Sequence, residues 1–231
     1  MDIAFFKQAL GIAFSGVPLT LLVTVVTLII ALPVGFFLTL VRMKRIPVIH
    51  QLIGIYLSFI RGTPVIIQIF VLYNSIPLLI AGVAKGKFDV YAIHPIWYAF
   101  VIFSFGMAAI VAEIVRGALQ TVDKGQLEAA YSVGLTVPQA YRRIILPQML
   151  TAALPNLCTA TVNLVKATSL GYAIALPEIT LRTKVAANAG YHYVEAYTAI
   201  FIVYLLICLL IEYAFHKTEQ RVRRYQGGIA C

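Results

Sequence analysis

Five apolar runs, each long enough to cross a lipid bilayer, take up just over half of the 231 residues and leave only short segments between them. A helix needs about 20 apolar residues to span the hydrocarbon. The runs fall at 17–41, 54–79, 96–119, 155–176 and 196–215. They are continuous rather than alternating, which favours helices over barrel strands, because backbone amides in lipid must be bonded within the segment. A modestly apolar stretch from Ile46 precedes the second run, and Gly62 and Pro64 interrupt it, which predicts a kink. Charged residues make up only 12% of the chain, about half the soluble norm. The longest polar stretch is roughly thirty residues, too short for a separate soluble domain. The chain therefore reads as one all-α integral membrane domain over residues 1–231.

The first run is too long for a signal-peptide core, and only Lys7 precedes it without a clear cleavage site. It is read as a retained first helix, stopped by Arg42-Met43-Lys44-Arg45. Lys and Arg flanking the spans set orientation. One side carries Arg42, Lys44, Arg45, Lys124, Arg142, Arg143, Lys217, Arg221, Arg223 and Arg224; the other carries Lys7, Lys85, Lys87, Arg182 and Lys184. Ten against five places the amino terminus outside and the carboxyl terminus inside. Trp97, Tyr98, Tyr191 and Tyr193 fall near the outer boundaries, where interfacial aromatics are expected.

The net charge of +9 sits beside hydrophobic spans, so nucleic acid is not an expected partner. Cys158, Cys208 and Cys231 and the four histidines are scattered, so neither a metal site nor a disulfide is expected. Without a Gly-rich loop ending in Lys-Ser/Thr, the chain should not bind ATP itself. No Ser-His-Asp or His-Glu-x-x-His set emerges, so no catalytic residue and no cofactor is assigned.

Between the third and fourth spans, at about 120–150, lies EAAYSVGLTVPQAYRRIILP. It combines Glu128, Ala129 and Ala130 with Gly134-Leu135, and then with Ile144, Leu146 and Pro147. Gly134 can take the positive φ of a sharp turn. Thr136 with Gln139 reads as a capping box that restarts a helix. A plain surface helix-turn-helix is the alternative reading. The full pattern resembles the EAA loop of permease subunits in bacterial ATP-binding-cassette importers. In that family the loop is a short cytoplasmic helix that docks in a groove of the ATPase. The charge asymmetry independently puts this loop in the cytoplasm.

Three further positions place charge within or beside spans: Arg61, the pair Glu113 and Arg116, and Lys166. Such charges face a partner or a polar cavity. Glu113 and Arg116 share a helix face and could simply pair with each other. Arg61-Gly62-Thr63-Pro64 followed by Gln68 resembles the polar amino-acid branch of the permeases, as do Ala112–Gly117 and Lys166-Ala167-Thr168-Ser169-Leu170. The branch usually has Asp where this chain has Ala167. For a zwitterionic cargo, Glu113 offers an acceptor for the ammonium, while Thr168, Ser169 or backbone near Gly171 offers donors to the carboxylate. A Ser or Thr in a membrane helix more often bonds its own preceding turn. Gly171 and Pro177 would permit a broken helix of the kind that lines transporter sites.

The resemblance, which covers the chain from about Gly16 to the last helix, implies a type I importer (MetI-like) permease fold in the bacterial inner membrane. It also implies two ATPase subunits, a second permease subunit and an extracytoplasmic substrate-binding protein as partners. Glutamine, arginine, histidine and cystine all suit the motifs, with cystine favoured by the loops. The rival readings are an ATP-independent secondary transporter or channel, and a membrane enzyme or assembly factor.

Overall fold

The computed structural model of the protein describes residues 2–44, 46–84 and 92–227. Arg45, Lys85, Lys87 and Cys231, and the side chains of Arg223 and Arg224, lie outside the described residues. Every regular element among the described residues is helical. Among the described residues, five helices are long and apolar enough to cross a membrane: Ile3–Met43, Val65–Val83, Pro95–Gln120, Val137–Ile174 and Tyr193–Val222.

Helix α1 (Ile3–Met43) starts 14 residues before the expected span. Asp2 caps it, accepting from the amides of Ala4 and Phe5 at 2.9 and 3.1 Å, which lets the helix include Lys7 and Gln8 despite their polarity. Its buried face is a stripe of small residues, among them Ala13, Gly16, Ala31 and Gly35. A Cβ at Gly35 would lie 2.6 Å from Val111 Cγ1, and one at Gly16 would lie 2.5 Å from the Ile179 amide nitrogen. These glycines set how closely α4 (Pro95–Gln120) and α8 (Ile179–Asn188) approach α1, the packing mode expected where lipid gives helices no hydrophobic drive to associate. The Thr39 hydroxyl lies 3.0 Å from the Gly35 carbonyl and 2.8 Å from that of Ala112, linking α1 to α4.

The kink expected in the second run is a complete break. α2 (Pro47–Gly62) ends, Thr63 turns extended (φ −122°, ψ 143°), and α3 (Val65–Ala84) starts afresh after Pro64. A residue before proline is driven out of the helical region, which is why the chain cannot continue straight. The second span is consequently Val65–Val83, not 54–79.

α4 (Pro95–Gln120) occupies the centre and packs against α1, α3 and α7. Of the aromatics expected at an interface, Trp97 is exposed but Tyr98 is buried, its ring 5.3 Å from that of Tyr73. After α5 (Lys124–Ser132) and α6 (Val137–Ala140), a π-helical turn at Tyr141–Ile145 leads into α7 (Leu146–Thr168). Pro147 has no N–H to donate back to Arg143, and the wide turn falls just before it.

α7 tightens into a 3₁₀ segment, Ser169–Ile174, and the chain then breaks at Ala175 (φ 56°) before Pro177. This interruption matches the broken helix expected at Gly171 and Pro177. α8 (Ile179–Asn188), which the sequence reading did not anticipate, packs on α1 and α9 (Tyr193–Gly227). Its cap is the fully buried Glu178, which accepts from the amides of Thr180 and Leu181 at 2.8 and 2.9 Å and from the Tyr204 hydroxyl at 2.8 Å. Burial pushes the Glu178 carboxyl above the usual carboxylate range, against the pull of these hydrogen bonds.

Candidate functional site

The α2–α3 break, α4 and α7 enclose a cavity of about 350 Å³. Its polar groups are Arg61, Gln68 and Asn163; Ile69, Phe103 and Met107 contribute to an otherwise largely apolar wall. The Gln68 amide nitrogen lies 2.9 Å from the carbonyls of Ile60 and Thr63 and from the Thr63 hydroxyl. That amide takes up carbonyls freed where α2 ends and so holds the break open. Its oxygen faces Gly106, where an added Cβ would meet nothing nearer than 3.9 Å. Arg61 and Gln68, two of the residues expected to contact cargo, both line this cavity. Asn163 was missed; its signal was a polar residue one turn before Ala167, which also lines the cavity.

The other expected substrate contacts lie elsewhere. Thr168 is fully buried and donates to the Val165 carbonyl at 2.6 Å, and Ser169 donates to that of Lys166 at 2.6 Å. Both hydroxyls are engaged with their own helix, in the manner common for Ser and Thr in membrane spans. Lys166 is exposed on α7. Glu113 lies one turn beyond Ile110 and does not line the cavity. It pairs with Arg42 of α1 through one oxygen, while the other accepts from Arg116 at 2.7 and 2.9 Å. An acid already held between two guanidiniums is a poor acceptor for a substrate ammonium.

The Glu128 region forms a second candidate surface. Asp123 starts α5 by accepting from the Gly125 amide at 2.6 Å. α5 ends in a Schellman turn: the Gly134 amide donates to the Tyr131 carbonyl and that of Leu135 to the Ala130 carbonyl, each at 3.0 Å. This closure requires a left-handed residue, and Gly134 supplies φ +78°. The Thr136 amide then donates to Gln139 Oε1 at 2.9 Å, closing the expected capping box. Ala130 is buried against the chain, whereas Glu128, Ala129 and Gly134 are exposed. Tyr131, Val133 and Val137 are exposed beside them, Val133 to 76%. Together they put apolar side chains on an otherwise polar loop. These three residues were missed because they carry no charge or spacing signal.

The family described as binding-protein-dependent transport system inner membrane component matches residues 31–224. The L-cystine transport system permease protein TcyL of Bacillus subtilis (strain 168) is 37% identical over 214 residues, 92% of this chain and 87% of that protein. A crystal structure of an amino acid ABC transporter with histidines contains a chain of similar fold, with a TM-score of 0.81 and 28% identity, covering 96% of this chain and 99% of that one. A chain of the MetNI methionine ABC transporter in an inward-facing conformation shares the fold at 19% identity, with a TM-score of 0.69 and coverage of 96% and 99%.

Proposed function

We propose, from the premise that this chain belongs to the family of binding-protein-dependent transport system inner membrane components, that it is the permease subunit of an ATP-driven amino-acid importer. It is a multi-pass protein of the bacterial plasma membrane. Cargo would pass along the face formed by α3, α4 and α7, and drive would enter through the loop from Lys124 to Ala140. The amino terminus would lie outside and the loop in the cytoplasm, as the charge asymmetry indicates.

The observation that carries this reading is the geometry of the loop. A capped helix, a glycine-dependent turn and a second capped start give a rigid knob, and the exposed Ala129, Val133, Gly134 and Val137 give it an apolar tip. A knob of that kind suits a groove in a separate ATPase. Two ATPases, a second permease copy or homologue, and an extracytoplasmic binding protein complete the assembly.

For cargo, the likeness to TcyL favours L-cystine. The cavity agrees in chemistry: the Arg61 guanidinium and the Asn163 amide suit a carboxylate, the Gln68 Oε1 left free by its engaged amide nitrogen can accept from an ammonium, and the apolar wall suits the disulfide-linked body. Glu113 no longer serves as the ammonium acceptor in this reading; it ties α1 to α4.

The test is uptake of radiolabelled cystine into liposomes carrying the permease with its ATPase and binding protein. Uptake is expected only with ATP enclosed in the lumen, on the ATPase face, and with binding protein outside. Equal uptake without ATP would favour the secondary transporter.

A further inference from the structure

Where α1 and α4 end, a second cavity of about 480 Å³ opens between them, the start of α2 and the start of α5. Arg42, Arg116 and Lys124 line it, together with His50, and no carboxylate is among its lining residues. Leu119 and Val122 give it an apolar wall. We infer that this pocket binds a phosphate group, of the kind carried by an anionic lipid headgroup, and so joins the ends of α1 and α4 to the first residue of α5.

The charge balance carries the inference. Glu113 does not line the pocket and, among the described residues, is the acid that meets both arginines, so one carboxylate answers two guanidiniums. It engages Arg42 through Nη1 alone. Arg116 is more fully committed, to Glu113 and, through Nη1 at 3.1 Å, to Gln120. Lys124 has no carboxylate partner among the described residues. The nearby Asp123 gives an oxygen to the Gly125 amide at 2.6 Å and does not line the pocket. His50 Nδ1 lies 3.1 Å from the Arg42 carbonyl, which holds α2 against α1 and closes one side. The result is a preformed basic recess with an apolar flank, at the level where two spans leave the bilayer. Basic pockets between membrane helices are the setting in which anionic headgroups bind. The pocket's chemistry does not depend on the coupling role proposed for α5; only its consequence for coupling does.

The full-length chain in neutral detergent is titrated with phosphatidylglycerol, with phosphatidylcholine of matched acyl chains, and with inorganic phosphate, and bound molecules are counted by native mass spectrometry. Phosphatidylglycerol should be retained in preference to phosphatidylcholine. Lys124→Gln should weaken it about fivefold, the weight of one surface cation against an anionic lipid, while Lys124→Arg keeps it. Lys217→Gln, which removes a cation on α9 outside the pocket, should leave it unchanged. Inorganic phosphate that displaces the lipid would identify the phosphate group itself as the recognised element; phosphate that neither binds nor competes would identify the lipid as the occupant, and both support the site. Equal retention of the two lipids would overturn it, as would equal weakening by Lys124→Gln and Lys217→Gln, which would mean diffuse charge. Loss in Lys124→Arg would also overturn it, because charge would then not be what binds.

Discussion

Glu113 of α4 forms an ion pair with Arg42, 71 positions earlier at the end of α1. Its second oxygen holds Arg116, so a single carboxylate fixes two helices and one of its own turns. Glu113→Gln leaves two cations facing each other in a partly closed site. Breaking a fully buried pair costs about 3–5 kcal/mol; these side chains are 18–38% exposed, so a loss of about 1–3 kcal/mol is expected. The thermal midpoint of the purified variant should fall, with transport per folded molecule retained. The triple change with Arg42→Gln and Arg116→Gln should recover most of the midpoint. A variant that folds like the parent yet loses transport would return Glu113 to a substrate role.

Gly106 offers a probe of the central cavity. Because a Cβ there meets only Gln68 Oε1 at 3.9 Å, Gly106→Ala should fit and stabilise α4 by up to ~1 kcal/mol, the usual helix gain over glycine. Gly106→Leu would project into a cavity of about 350 Å³ and should raise the KM for uptake at least tenfold without lowering assembly. Unchanged KM in the Leu variant would mean that cargo passes elsewhere.

Glu178 gives the fold a pH dependence of unusual sign. Burial raises its carboxyl above the unfolded value, so the folded state takes up a proton more readily than the unfolded chain. Its contribution is favourable at acidic pH and is lost as pH rises through the raised value. Thermal midpoints between pH 4.5 and 8 should therefore fall with pH more steeply in the parent than in Glu178→Gln, and the difference between the two isolates this group. Parallel profiles would contradict the assignment.

Orientation can be read with a cysteine-free background. Tyr191→Cys, at a position 82% exposed between α8 and α9, should react with a membrane-impermeant maleimide in intact cells. Lys124→Cys should react only after permeabilisation. The reverse pattern would put the Glu128 loop on the wrong side for an ATPase.

The spans and the loop were legible because their causes are local. Apolar runs mark helices whatever surrounds them, and Gly134 with Thr136 and Gln139 specifies a turn and a cap within a few residues. The break at Thr63 was half legible: Pro64 signals a disruption, but only the side chain of Gln68, folding back on the freed carbonyls, makes it a full stop. The ion pair of Glu113 with Arg42 was hidden, since sequence spacing shows the neighbour three positions away and not the one brought in by helix packing. α8 was hidden too. Its mix of threonines and basic residues reads as a loop, and its anchor, Glu178, looks like a surface acid until Tyr204 arrives from α9.

If the loop from Lys124 to Ala140 transmits ATPase motion, Val133→Glu should uncouple the transporter. Val133 is 76% exposed and follows the last turn of α5, so the change adds charge at the proposed docking tip without disturbing the fold. Substrate-stimulated ATP hydrolysis is measured on the reconstituted transporter, with Glu128→Arg as a companion. An interface hot spot is typically worth ~2 kcal/mol or more, so coupled hydrolysis and uptake should both drop more than tenfold while the permease stays inserted and folded. Coupled hydrolysis at the parent rate in both variants would show that the loop is a connector and nothing more.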